Sequence, residues 1–137
     1  MQARSFWTST LAAVCLFVSL PSQGQEGHPL VGSWHGDWGT DGAARNDLTV
    51  IMDWDGEQLT GLVNPVTDRT RLIDAGMDSS SWTVRFSVDL TDGSGNAMRC
   101  VADGKLDSLG SDRRTLSGTW TCGVIEGDFR LRRDRDY

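Results

Sequence analysis

Two short runs bracketing Cys100 and Cys122 constrain this chain more than any other feature in it. Residues 97–106 and 115–122 both alternate in polarity, and the polar segment 107–114 joins them. Successive side chains of a β-strand point to opposite faces, so a hairpin register is acceptable only if it gathers the apolar residues on one face. Placing Cys100 opposite Cys122 sets Ala102 against Trp120, Gly104 against Gly118 and Leu106 against Leu116. The other face then carries Val101, Asp103, Lys105, Ser117, Thr119 and Thr121. One register satisfies the hydrophobic pattern and the cysteine pair together.

The same rhythm runs through the rest of the chain. Gly32, Trp34, Gly36 and Trp38 share a face, and so do Leu48, Val50, Met52 and Trp54. Asp55-Gly56 is a preferred two-residue hairpin turn; it predicts the pairs Trp54–Glu57, Met52–Leu59, Val50–Gly61 and Leu48–Val63. After a loop at 64–70, residues 71–77 read as a strand with Ile73, Ala75 and Met77 on one side. A turn at 78–81 leads into Trp82, Val84, Phe86, Val88 and Leu90, predicting Met77–Trp82, Ala75–Val84 and Ile73–Phe86. Beyond Cys122, a turn at Gly123-Val124 sets Trp120 against Gly127, Gly118 against Phe129 and Leu116 against Leu131. Helical periodicity is missing throughout. Meandering strands with one apolar face bury it, and lose their exposed edges, by closing on themselves. The expected fold class is therefore all-β, an eight-stranded antiparallel up-and-down β-barrel, with a two-sheet sandwich as the alternative.

The first residues read as an export signal. Arg4 gives a positive start, residues 11–20 are apolar apart from Cys15 and Ser19, and Pro21 ends the run. Ser22-Gln23-Gly24 places small residues at −3 and −1 of a cut before Gln25. The run is too short to span a bilayer comfortably, and Val14 ahead of Cys15 does not suit a lipidation site. Residues 1–24 are expected to be a signal peptide and 25–137 one barrel domain, secreted or periplasmic. In such an oxidising compartment Cys100 and Cys122 would pair, stabilising the fold by about 3 kcal/mol; two buried thiols are the alternative. The net charge of −6 repels phosphate backbones, which argues against nucleic acid as a partner.

The up-and-down order places the loops at 39–45, 64–70, 91–96 and 123–124 on one rim, the mouth. Inward positions near it are Trp38, Leu48, Val63, Arg71, Val88, Leu90, Met98 and Trp120. An apolar lining with one convergent cation is a small-ligand site in outline. Trp38, Leu48, Val63, Arg71, Leu90, Met98 and Trp120 are the candidate binding residues, with Arg71 anchoring the carboxylate of an anionic ligand. The competing expectation is a filled barrel with Arg71 snorkelling to water. Metal sets are sparse. His28, His35 and Asp37 suit a solvated surface better. Ile51 stands where a calcium loop through Asp53, Asp55 and Glu57 needs its first acid, and Asp89, Asp92 and Asn96 surround a glycine-rich turn. No metal, cofactor or nucleophile–base constellation is assigned, and the chain is not expected to be an enzyme.

At Gly32-Ser33-Trp34 the chain resembles the calycin-type barrels, lipocalins and avidins, which also open on a Gly-x-Trp strand. The resemblance spans nearly all of residues 25–137, although Thr91-Asp92-Gly93 departs from the lipocalin Thr-Asp-Tyr signature. It implies a barrel that binds an apolar or aromatic ligand, with Arg133 of the last strand covering Trp34 as a cation–π cap. In size the chain is also similar to avidins and to small bacterial barrel inhibitors of metalloproteases. That likeness implies a second reading, a protein-binding module acting through rim loops or through residues 25–30.

Overall fold

The computed structural model describes residues 27–40 and 44–134; the expected signal peptide lies outside them. Nine strands follow in chain order. They are β1 (Gly32–Gly39), β2 (Asn46–Trp54), β3 (Leu59–Val63), β4 (Thr70–Arg71), β5 (Ile73–Asp78), β6 (Thr83–Thr91), β7 (Ala97–Asp107), β8 (Thr115–Cys122) and β9 (Ile125–Arg133). The sheet order is β4-β3-β2-β1-β9-β8-β7-β6-β5, every pairing is antiparallel, and β1 bonds both β2 and β9. The two outermost strands are consecutive in sequence and meet at Leu72, whose amide donates to the Gly61 carbonyl at 3.0 Å. The result is a nearly closed antiparallel β-barrel. No described segment is helical.

The ninth strand comes from a division. Residues 71–77, expected to be one strand, bend at Leu72, so that β4 pairs with β3 and β5 pairs with β6. A bulge between Ile73 and Gly76, with Asp74 at φ 49°, inserts an odd shift into the alternation. Thr70 therefore stands opposite the inward Val63, Arg71 opposite the outward Leu62, and Ala75 and Met77 return to the core.

The hairpin of β7 and β8 has the expected register, Cys100↔Cys122 through Leu106↔Leu116. Its disulfide is formed, with an S–S distance of 2.03 Å. The β8–β9 register also agrees, from Cys122↔Ile125 through Leu116↔Leu131, with Gly123 at φ 63° making the two-residue turn. Two other hairpins slip by two residues: Trp54 pairs with Leu59, and Met77 with Val84. In each an aspartate lengthens the turn. Asp55 Oδ1 accepts from the amides of Glu57 and Gln58, and these bonds, Gln58 first, hold its carboxyl below the usual range. Asp78 Oδ1 accepts from the Ser80 amide and hydroxyl. Because an even slip preserves parity, the inward faces remain as expected except at Ile73, which beyond the bulge pairs with Ser87 instead of Phe86.

The core fills the end opposite the mouth. Trp34, Val50, Met52, Val84, Leu106, Leu116 and Leu131 are buried there, and Leu30 of the segment before β1 is wholly buried with them. Trp34 Nε1 donates to the Leu30 carbonyl at 2.8 Å, and Arg114 Nη1 donates to the Pro29 carbonyl at 3.1 Å. Arg133 pairs with Trp34 in register, and its Nε lies 2.8 Å from where a Cβ on Gly32 would stand. His28 stacks on Trp54 with ring centroids 4.7 Å apart. Residues 28–31 thus form a plug stitched to both walls.

A candidate ligand cavity at the mouth

The same inward face that buries Trp34 carries Trp38 two periods of alternation later, but here no described side chain fills the centre. A cavity of about 180 Å³ opens at the rim. Phe86 and Phe129, edge to face with centroids 6.0 Å apart, belong to both the cavity lining and the core and form the floor. The walls come from Trp38 (β1), Leu48 (β2), Val63 (β3), Val88 and Leu90 (β6), and Trp120 (β8). The Cys100–Cys122 disulfide lies in the wall between β7 and β8.

The two indoles are fixed by different means. Trp120 lies on Gly127, where a Cβ would come within 2.6 Å of its ring, and its Nε1 donates to the Asp128 carbonyl at 3.0 Å. Trp38 meets it edge to face, centroids 5.1 Å apart, the favoured geometry for two π-systems. Outside the barrel at this level, Arg45 clamps β1 to β9 by bonding both Asp37 and Asp128. Its bond to Asp128 is the main cause that raises the Arg45 pKa and lowers that of Asp128. The clamp holds the rim on which both tryptophans sit.

The polar edge of the cavity comes from the loop between β3 and β4. Asn64 sits at φ 46°; its amide donates to the Thr49 carbonyl, and its Oδ1 accepts from the Thr49 amide. The Asp68 amide closes the turn onto the Asn64 carbonyl, and the Thr70 hydroxyl donates to the Asp68 carbonyl. Asn64, Asp68 and Thr70 all line the cavity.

Of the seven candidate residues, the structure brings Trp38, Leu48, Val63, Leu90 and Trp120 together around the cavity. Met98 is half-buried opposite Leu90 and does not line it. The inward placement of Arg71 needs correction: the bulge before Gly76 reverses its parity, and it is exposed outside the lining. Phe86, Phe129 and the 64–70 loop contacts were not among the seven. Phe129 opposite Gly118 carried a signal, a large residue set on a small one.

The residues weighed as metal ligands are engaged elsewhere. His35 bridges Thr49 Oγ1 and Asp134, Asp37 holds Arg45, and His28 is on the plug. Asp92 caps its own loop through the amides of Ser94 and Asn96. Among the described residues no cluster of three or more His, Cys, Asp or Glu could hold a metal ion, and no helix is long and apolar enough to cross a membrane.

Fold and site together define a nearly closed antiparallel barrel, plugged at one end and hollow at the other. Compared with known proteins, the chain matches no family model and no curated sequence.

Proposed function

We propose that this protein is an exported small-ligand-binding barrel of calycin type that takes an apolar or aromatic guest at its mouth. The observation that carries this reading is the cavity beneath Trp38 and Trp120. An apolar cavity of about 150 Å³ is enough to take up benzene, so about 180 Å³ suits a single ring with a short tail. Affinity would come from burying that ring against two indoles and two phenyl rings. A binding rather than a catalytic role is supported by the lining, whose two cysteines are bonded to each other and whose described residues include no histidine. The Cys100–Cys122 bond also supports an oxidising compartment, in keeping with the expected export signal. Titration of the purified protein with 2-phenylethanol, followed by tryptophan emission, should give a saturable change that Trp120→Ala abolishes. A flat titration would refute the reading.

One observation favours the alternative, a protein-binding module. Val66 and Val124 are fully exposed on two mouth loops, where a partner could cover them. The segment before β1 supports this less well as an inhibitory arm. Residues 25 and 26 lie outside the described residues, and Leu30 is buried in the plug.

A further inference from the structure

We infer that the guest is a small aromatic amine, its ring in the cavity beneath Trp38 and Trp120 and its ammonium group at the Asp68 carboxylate. This rests on the cavity reading above and adds the sign of the ligand's charge. Among the described residues that line the cavity, Asp68 is the one with a charged side chain; no lysine, arginine or histidine stands with it. Asp68 uses its backbone to shape the loop, its amide bonding Asn64 and its carbonyl accepting from Thr70. Its carboxylate makes no hydrogen bond or ion pair with any described residue.

Of the two neighbouring polar side chains, Thr70 points the same way, whereas Asn64, its Oδ1 taken by the Thr49 amide, presents its Nδ2 donors. The Thr70 hydroxyl proton is committed to the Asp68 carbonyl, which leaves its oxygen lone pairs as acceptors. A guest with donors on its polar end therefore meets acceptors at Asp68 and Thr70, and one with a carboxylate meets another carboxylate at Asp68. Arg69 and Arg71 follow Asp68 in sequence; all three are exposed, but neither arginine lines the cavity. The cavity's size excludes long or fused-ring amines and leaves one ring on a chain of two or three atoms.

Three probes of nearly one shape separate the alternatives: 2-phenylethylamine, 2-phenylethanol and phenylacetate, titrated calorimetrically at neutral pH and low salt. The amine should bind about fivefold tighter than the alcohol, the upper range of a solvent-exposed ion pair. Phenylacetate should bind weakest. In Asp68→Asn the advantage of the amine over the alcohol should vanish, while Arg71→Ala should leave the order of the three probes as it is. Added salt should shrink the amine's lead. If the alcohol binds and the amine binds no tighter, or if phenylacetate leads, the amine inference is wrong and the cavity reading survives. If none of the three binds, both fall together.

Discussion

Trp34 and Trp38 lie four residues apart on one face of one strand, yet they meet opposite fates. Trp34 is fully buried, its indole N–H tied to the Leu30 carbonyl under a plug that Arg114 fastens from across the barrel. Trp38 is half-buried and shares an open cavity with Trp120. Alternation alone treats the two positions identically. What separates them is whether chain from outside the sheet arrives to fill the middle: among the described residues, 28–31 do so at one end, while at the other the 64–70 loop only edges the opening. A barrel of this size is stabilised from its plugged half, and its open half is available for binding.

The sharpest way to break that comparison is to truncate each indole in turn. Trp34→Ala removes a fully buried side chain and a buried hydrogen bond, so it should cost about 3–5 kcal/mol in a urea unfolding experiment. Trp38→Ala borders a space already empty and should cost about 1–2 kcal/mol. Equal losses would mean that both ends are load-sharing core. Breaking the disulfide comes next. Cys100 and Cys122 are 22 residues apart in sequence, and replacing both with alanine should lower stability by about 3 kcal/mol through the unfolded chain. That loss should appear with little change in far-ultraviolet circular dichroism, since the β7–β8 ladder extends well beyond the bond.

How far these contrasts could be read from the sequence depends on parity. The registers of β7, β8 and β9 follow from alternation plus one cysteine pair and a turn with glycine at its first position. The hairpins at Asp55 and Asp78 are harder, because an aspartate that caps backbone amides converts a short turn into a longer one. Those errors are even, so they leave the inside inside. At Asp74 the error is odd. A bulge has no reliable one-residue signature, and it moved Arg71 from the lining to the surface, taking the expected anion anchor with it. Whether the centre is hollow is harder still, since it depends on the summed volumes of side chains from every strand. Asp68 was out of reach for another reason: it lines the cavity from a loop, where no periodicity applies.

A smaller effect tests what holds the open end in shape. In Gly127→Ala the new Cβ would stand 2.1 Å from the Gly39 carbonyl oxygen and 2.6 Å from the Trp120 ring. Relieving that contact should cost about 1–3 kcal/mol and push Trp120 off its seat, so a shift in tryptophan emission should accompany the loss. A stability change without a spectral one would show that Trp120 is not positioned by that glycine.

The smallest expected effect belongs to the plug, and its sign can be worked out. Burial disfavours the charged form of His28 and lowers its pKa from the ordinary 6.5. Its Nδ1 accepts from the Leu30 amide at 3.3 Å, which the neutral ring can do and the protonated ring cannot. Because the unfolded chain binds the proton more readily, the contribution of His28 is complete above pH 6.5 and is lost as pH falls through the lower folded value. On a partly exposed ring this amounts to no more than about a few tenths of a kcal/mol. Urea midpoints at pH 7.5 and 5.5, compared between the native protein and His28→Phe, isolate the effect from His35 and the carboxylates. The native protein should lose slightly more stability on acidification than the variant, which keeps an aromatic ring on Trp54 but has nothing to protonate. Identical pH slopes would show that the plug does not sense the proton, and that the packing of Leu30 and Trp34 alone distinguishes this end from the mouth.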